Sequence, residues 1–138
     1  MNRRRAKKLA HRLVIAGLTS DTAAAARLLR AGADPDRPNA EGTTPLYQAA
    51  VHGVAPIVAL LLAAGATPDL ESGHGTEGTP LCAAALWAHD DVVRELLAYG
   101  ADPELREDGG TGHTPLDWAR HFGHTETIRL LEAARRLS

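Results

Sequence analysis

The chain has 138 residues, 44% of them apolar and drawn mostly from Ala and Leu, with five aromatic residues and a formal charge of −2. That length suits one domain with its own core, a core of small residues disfavours a sandwich or barrel, and the charge argues against an overall nucleic-acid binder. A single cysteine, Cys82, excludes an internal disulfide or a thiolate metal site, and no apolar run is long enough for a membrane span or a secretory leader, which points to a cytoplasmic protein.

The first residues are basic: Arg3, Arg4, Arg5, Lys7, Lys8 and Arg12 carry +6. They predict the solvated face of a capping helix over Lys7–Ile15, followed by a second helix over Ala23–Arg30. The alternative is an anionic partner, nucleic acid or a lipid surface, bound through this segment. No aromatic residues interleave the charges to stack on bases, which disfavours the nucleic-acid option.

From residue 32 onward the chain repeats itself, with a period characteristic of stacked units. Gly32-Ala33-Asp34-Pro35, Gly65-Ala66-Thr67-Pro68-Asp69 and Gly100-Ala101-Asp102-Pro103 recur at a nearly constant interval. Thr44-Pro45-Leu46, Thr79-Pro80-Leu81 and Thr114-Pro115-Leu116 recur at a strictly constant one. Each Thr is an N-cap and each Pro occupies the first helical position, where its missing N–H costs nothing. Asp117 adds a capping box with Thr114. A short first helix through Ala49-Ala50, Ala83-Ala84-Ala85 or Trp118-Ala119 presents small residues to its neighbours. After a turn at Gly53, Ala88 or Gly123, a second helix carries an apolar stripe: Ile57-Val58 with Leu60-Leu61, Val92-Val93 with Leu96-Leu97, Ile128 with Leu130-Leu131. Gly65 and Gly100 then end the helix at a position that needs positive φ.

This order of cap, paired alanines, turn, Leu-rich helix and Gly-Ala-Asp resembles the ankyrin repeat over residues 10 to 134. The resemblance implies an all-α repeat solenoid: a stack of helix–turn–helix units with extended finger loops, one domain over 1–138 with units near 5–34, 35–67, 68–102 and 103–138. The chain departs from the family where His usually follows the Thr-Pro-Leu motif, since Tyr47, Cys82 and Asp117 stand there. The first unit lacks Thr-Pro-Leu altogether, as an atypical polar end unit would. Gly32–Pro45 matches the family's usual finger, and the fingers over Gly65–Pro80 and Gly100–Pro115 are slightly longer.

Most catalytic and metal readings fail. His89 and His124 open second helices, where the family uses His structurally. No pair of histidines shares one helix face with a matched acid, so no zinc site is expected. Cys82 lacks a neighbouring base and reads as a small half-buried residue. Gly109-Gly110-Thr111-Gly112 lies in a finger rather than before a helix with a following Lys, so it is no phosphate cradle. No enzyme activity, cofactor or metal is expected. A second use of the long fingers, with His74 and His113 as polar groups of an enzyme or ligand site, is the least supported alternative.

What remains is partner binding by a module that is a monomer in isolation. The resemblance implies contacts at the ends of the first helices and along the fingers. The helix-end pairs are Val51-His52, Leu86-Trp87 and His121-Phe122, whose second members form a ladder. Large apolar groups there suggest a binding patch. The fingers over 34–43, 67–78 and 101–114 carry −2, −3 and −3, so Glu41, Glu71, Glu77, Glu107 and Asp108, with His74 and Arg106 beside them, would form an acidic rim. The expected ligand is a basic, amphipathic segment of another protein.

Overall fold

A computed structural model describes residues 1–137; Ser138, the last residue of the fourth expected unit, lies outside them. Four helix pairs follow one another: α1 (Arg3–Thr19) with α2 (Thr22–Arg30), α3 (Pro45–Val51) with α4 (Ala55–Ala63), α5 (Pro80–Leu86) with α6 (Asp90–Ala98), and α8 (Pro115–His121) with α9 (Thr125–Leu137). A single turn, α7 (Glu107–Gly110), sits inside the last finger. The first helices α1, α3, α5 and α8 pack side by side as an inner row, and α2, α4, α6 and α9 form the outer row. The chain is thus an all-α repeat solenoid; among the described residues there is no strand, only one antiparallel bridge between Ser72 and Gly78.

Local chemistry accounts for the inner row. The hydroxyls of Thr44, Thr79 and Thr114 accept from the N–H groups of Tyr47, Cys82 and Asp117 at 3.2, 3.2 and 3.0 Å. Asp117 returns a bond from the Thr114 N–H, completing the capping box. Ala49, Ala50, Ala84, Ala85 and Ala119 are fully buried, which lets successive inner helices approach closely. The outer helices contribute Ile57, Leu61, Leu96 and Leu131 to the same continuous core. Truncating any one of these to Ala would cost about 2–5 kcal/mol.

Each turn between the paired helices is built alike. The N–H of the residue opening the second helix donates back to the first helix at 2.9–3.0 Å: Asp21 to Ala16, Val54 to Ala49, His89 to Ala84 and His124 to Ala119. The residue just before takes positive φ: Ser20, Gly53, Ala88 and Gly123 at 59°, 69°, 57° and 68°. Ala88 therefore holds a left-handed conformation where two other units use glycine.

The first unit differs from the expectation. Its inner helix runs from Arg3 to Thr19 rather than Lys7 to Ile15, because Asn2 caps it, accepting from the Arg5 N–H at 2.8 Å. It also continues through Gly17, whose missing side chain lets it lie against the Ala49 backbone. The second helix starts one residue earlier, at Thr22, under an Asp21 cap.

Candidate functional site

The helix-end pairs lie at corresponding places on successive units. His52, Trp87 and Phe122 are the C-caps of α3, α5 and α8, with nearly superimposable backbone angles near φ −90 to −100° and ψ 0°. Trp87 is 60% exposed and Phe122 52% exposed; His52 and His121 are exposed, while Val51 and Leu86 are half-buried. The large side chains of Trp87 and Phe122 thus both keep more than half of their surface open to solvent.

The two structural histidines lock this row. His89 donates through Nε2 to the carbonyl of Val51 at 3.0 Å, and His124 donates to that of Leu86, also at 3.0 Å. Each ring therefore ties the end of one inner helix to the turn of the next unit. The His124 ring also stacks on Phe122, with centroids 5.9 Å apart. Phe122 is held from its other sides by Trp118 at 6.5 Å and by His121, edge-on at 4.8 Å. The row is thus presented on a backbone that is bonded across units, which limits the ordering cost of any contact made there.

The register of the turns adds a member that the sequence reading missed. Asp21 bonds to Ala16 as His89 does to Ala84, so Leu18 and Thr19 in the first unit correspond to Leu86 and Trp87. Leu18 is 47% exposed. The signal was present as Ala16-Gly17-Leu18-Thr19-Ser20, which aligns with Ala49-Ala50-Val51-His52-Gly53 one repeat later.

The fingers are joined by their own carboxylates. Glu77 accepts from the Thr43 hydroxyl at 2.9 Å and the Ser72 hydroxyl at 2.7 Å, and Ser72 in turn accepts from the Thr44 N–H. Gly73 N–H donates to the Gly42 carbonyl at 2.8 Å, and the His74 ring lies directly over Gly42, where a Cβ would come within 2.6 Å of Nε2. Glu71 accepts from the Gly109 N–H at 3.0 Å. Nearer the helices, Asp36 accepts from Thr67 and Asp69 from the Asp102 N–H. Burial raises the Asp69 carboxyl above its ordinary range, opposed by that bond.

Glu107 corrects the expected rim. It is only 9% exposed and accepts from the Trp118 indole N–H at 2.7 Å. Room for its carboxylate comes from Gly78, where a Cβ would sit 2.4 Å from Oε2. Burial pushes its pKa up, against the lowering effect of the indole bond. Glu107 is therefore an internal tie between the last finger and α8, not a surface charge. Glu41 and Asp108 are exposed. Arg106 is exposed as well, but it is turned onto its own finger, donating to the Gly112 carbonyl at 3.1 Å and lying 3.7 Å from Asp117.

Cys82 is a second correction: it is 1% exposed, not half-buried. Burial pushes its thiol up to about 12, so it stays protonated and inert at neutral pH. Among the described residues no group of three His, Cys, Asp or Glu side chains is placed to hold a metal, and no helix is long and apolar enough to cross a membrane.

A search of curated proteins finds no significant match. A family model for ankyrin repeats, built of three copies, matches residues 13–107 and 74–135. The two matches overlap and together span residues 13–135, reaching into all four helix pairs, so the chain belongs to the ankyrin-repeat family.

Proposed function

We propose that this chain is a non-enzymatic, cytoplasmic binding module that captures a basic amphipathic segment of another protein along its inner-helix ends. Ankyrin repeats are generally protein–protein interaction modules. The observation that carries the reading is the pair Trp87 and Phe122, both more than half exposed at the same cap of adjacent units. Leu86, Trp87 and Phe122 would anchor the apolar side of the segment, with Val51 and Leu18 extending the contact. His52 and His121 would border it.

The charge of the fingers supports a basic ligand. Among the described residues no Lys, Arg or His lies within ion-pair distance of Glu41, Glu71, Glu77 or Asp108. The bonds that Glu71 and Glu77 accept come from neutral donors, so these carboxylates are positioned without being neutralised. Complementary charges of this kind steer association and select partners.

The test is selection of peptides from a displayed library on the purified domain, followed by titration of the winners. The expected winners have a net positive charge with apolar residues at helical spacing. Trp87→Ala should weaken them by at least about tenfold, or 1.4 kcal/mol, with an unchanged circular dichroism spectrum. Phe122→Ala serves as the second variant if the first loses helix. Unchanged affinity of the basic winners in both variants, or the absence of basic winners, would overturn the reading.

A further inference from the structure

A second surface lies at the amino end of the stack. The second and third units have a neighbour on both sides, whereas α1 and α2 are covered only on the side of α3 and α4, as α8 and α9 are only on the side of α5 and α6. The far side of α1 and α2 is an open groove of about 890 Å³. Leu9, Ile15 and Leu28 contribute an apolar floor, and Arg5, Lys8 and Arg12 line one wall with Arg27 on the other.

Those four cations are uncompensated. Among the described residues no carboxylate lies within ion-pair distance of any of them. By contrast Arg94, Arg106, Arg120, Arg129 and Arg135 each have an acidic side chain within that distance. Arg5, Lys8 and Arg12 follow one another at three- and four-residue spacing on a single helix, an arrangement of like charges that destabilises the free helix. The one acid that lines the groove, Asp21, is occupied in capping α2.

We propose that this end groove docks an acidic amphipathic helix from a partner protein. Shape selects a helix: the opposite face of the same α1–α2 pair is filled by a helix pair, and the groove repeats that relief without an occupant. Its lining on α1 runs from Arg5 to Thr19, a helical length of about 21 Å, or four turns of a partner. Charge selects acids flanking the apolar stripe. A bilayer or a nucleic-acid backbone fits less well. Arg3, Arg4 and Lys7 do not line the groove, a flat anionic surface would leave its apolar floor empty, and the sequence before Tyr47 contains no Phe, Tyr or Trp to stack on a base. This surface meets the inner-helix row only at Thr19 and does not depend on the reading of that row.

The experiment is an anisotropy titration of the full chain with a labelled peptide of about four helical turns, carrying Leu at helical spacing and Glu at the other positions. A Lys-for-Glu version is the control. The Glu peptide should bind and weaken with added salt, and the exposed double reversal Lys8→Glu/Arg12→Glu should reduce its affinity by more than tenfold while raising that of the Lys peptide. Ile15→Asp should also weaken the Glu peptide, and Trp87→Ala should leave it unchanged. The proposal is overturned if the double reversal has no effect, or if Trp87→Ala abolishes binding. It is likewise overturned if a DNA duplex or a phosphatidylserine vesicle displaces the peptide and itself depends on Lys8 and Arg12. Dimerisation of the free chain that the double reversal abolishes would assign the groove to a second copy instead.

Discussion

The two ends of the stack share a repeat but not a manner of ending. At the carboxyl end, α9 has thirteen residues where each of the other outer helices has nine. Four of its five charged residues are paired: Glu132 with Arg120 at 3.0 Å, Arg135 with Glu104 at 3.2 Å and Arg129 with Glu126 at 2.6 Å. Thr127, fully buried, donates to Asp90 of the preceding outer helix. At the amino end, the stretch from Arg3 to Arg30 holds eight Lys and Arg but a single acid, Asp21, and a groove with an apolar floor lies open. The amino-terminal unit is polar, as expected of an end unit, and among the described residues its charges are left without counter-charges. The two ends therefore differ in the pairing of their charges and in the length of the outer helix.

The largest effect that would sharpen this contrast concerns the turns. Gly53, inside the stack, has positive φ, and a Cβ there would lie 2.5 Å from the His89 ring. That ring is fixed by its bond to Val51 and cannot swing away without losing it. Gly123, near the carboxyl end, has the same φ but nothing within 4 Å. Gly53→Ala should cost about 3 kcal/mol in denaturant unfolding, left-handed strain plus overpacking, and Gly123→Ala only about 1 kcal/mol. Equal losses would mean that His89 does not staple the units. Conversely, Ala88→Gly should stabilise by about 0.5–1 kcal/mol, because the left-handed strain relieved at φ 57° outweighs the added chain entropy of glycine.

Glu107 supplies a pH dependence confined to the carboxyl half. Its folded pKa is raised by burial from the ordinary 4.5, so the native state holds the proton more tightly than the unfolded chain does. Its contribution to stability is fully present below 4.5 and declines as pH rises through the folded value. Glu107→Gln, which keeps an oxygen for the Trp118 indole, should flatten that decline in unfolding curves measured upward from about pH 4, near the ordinary glutamate value. Asp117 acts in the opposite sense. The Thr114 backbone bond lowers its pKa from 3.8, so its contribution is lost as pH falls below that value.

The smallest effect tests the ends directly. Raising NaCl to about 0.5 M, where charges more than about 4 Å apart are largely screened, should slow hydrogen exchange in α1 by relieving repulsion among its cations. The same change should speed exchange in α9 by weakening its ion pairs. Shifts of the same sign at both ends would remove the distinction.

The parts of the fold legible in the sequence were those set by neighbouring residues. Thr-Pro caps, the paired alanines and the Leu stripes each follow from local chemistry, and their spacing placed α3 to α6 and α8 closely. What escaped depended on the adjacent unit. The burial of Glu107 rests on the empty side of Gly78, in the preceding finger, and a carboxylate in a polar finger otherwise reads as a surface charge. Leu18 was missed because the first unit lacks Thr-Pro-Leu, although its turn bonds follow the same register as the others. The groove between α1 and α2 escaped because a run of Arg and Lys reveals nothing about which of them share a wall.

Where a basic ligand touches the molecule decides whether the helix-end row is the binding surface. Backbone amide shifts of the labelled chain, followed while a Leu/Lys amphipathic peptide is added, would locate the contact. The largest changes should fall at Leu18, Val51-His52, Leu86-Trp87 and His121-Phe122, with smaller ones at Glu41, Glu71, Glu77 and Asp108. Changes gathered instead on the outer helices α4, α6 and α9, with the helix-end row unmoved, would contradict the proposed surface.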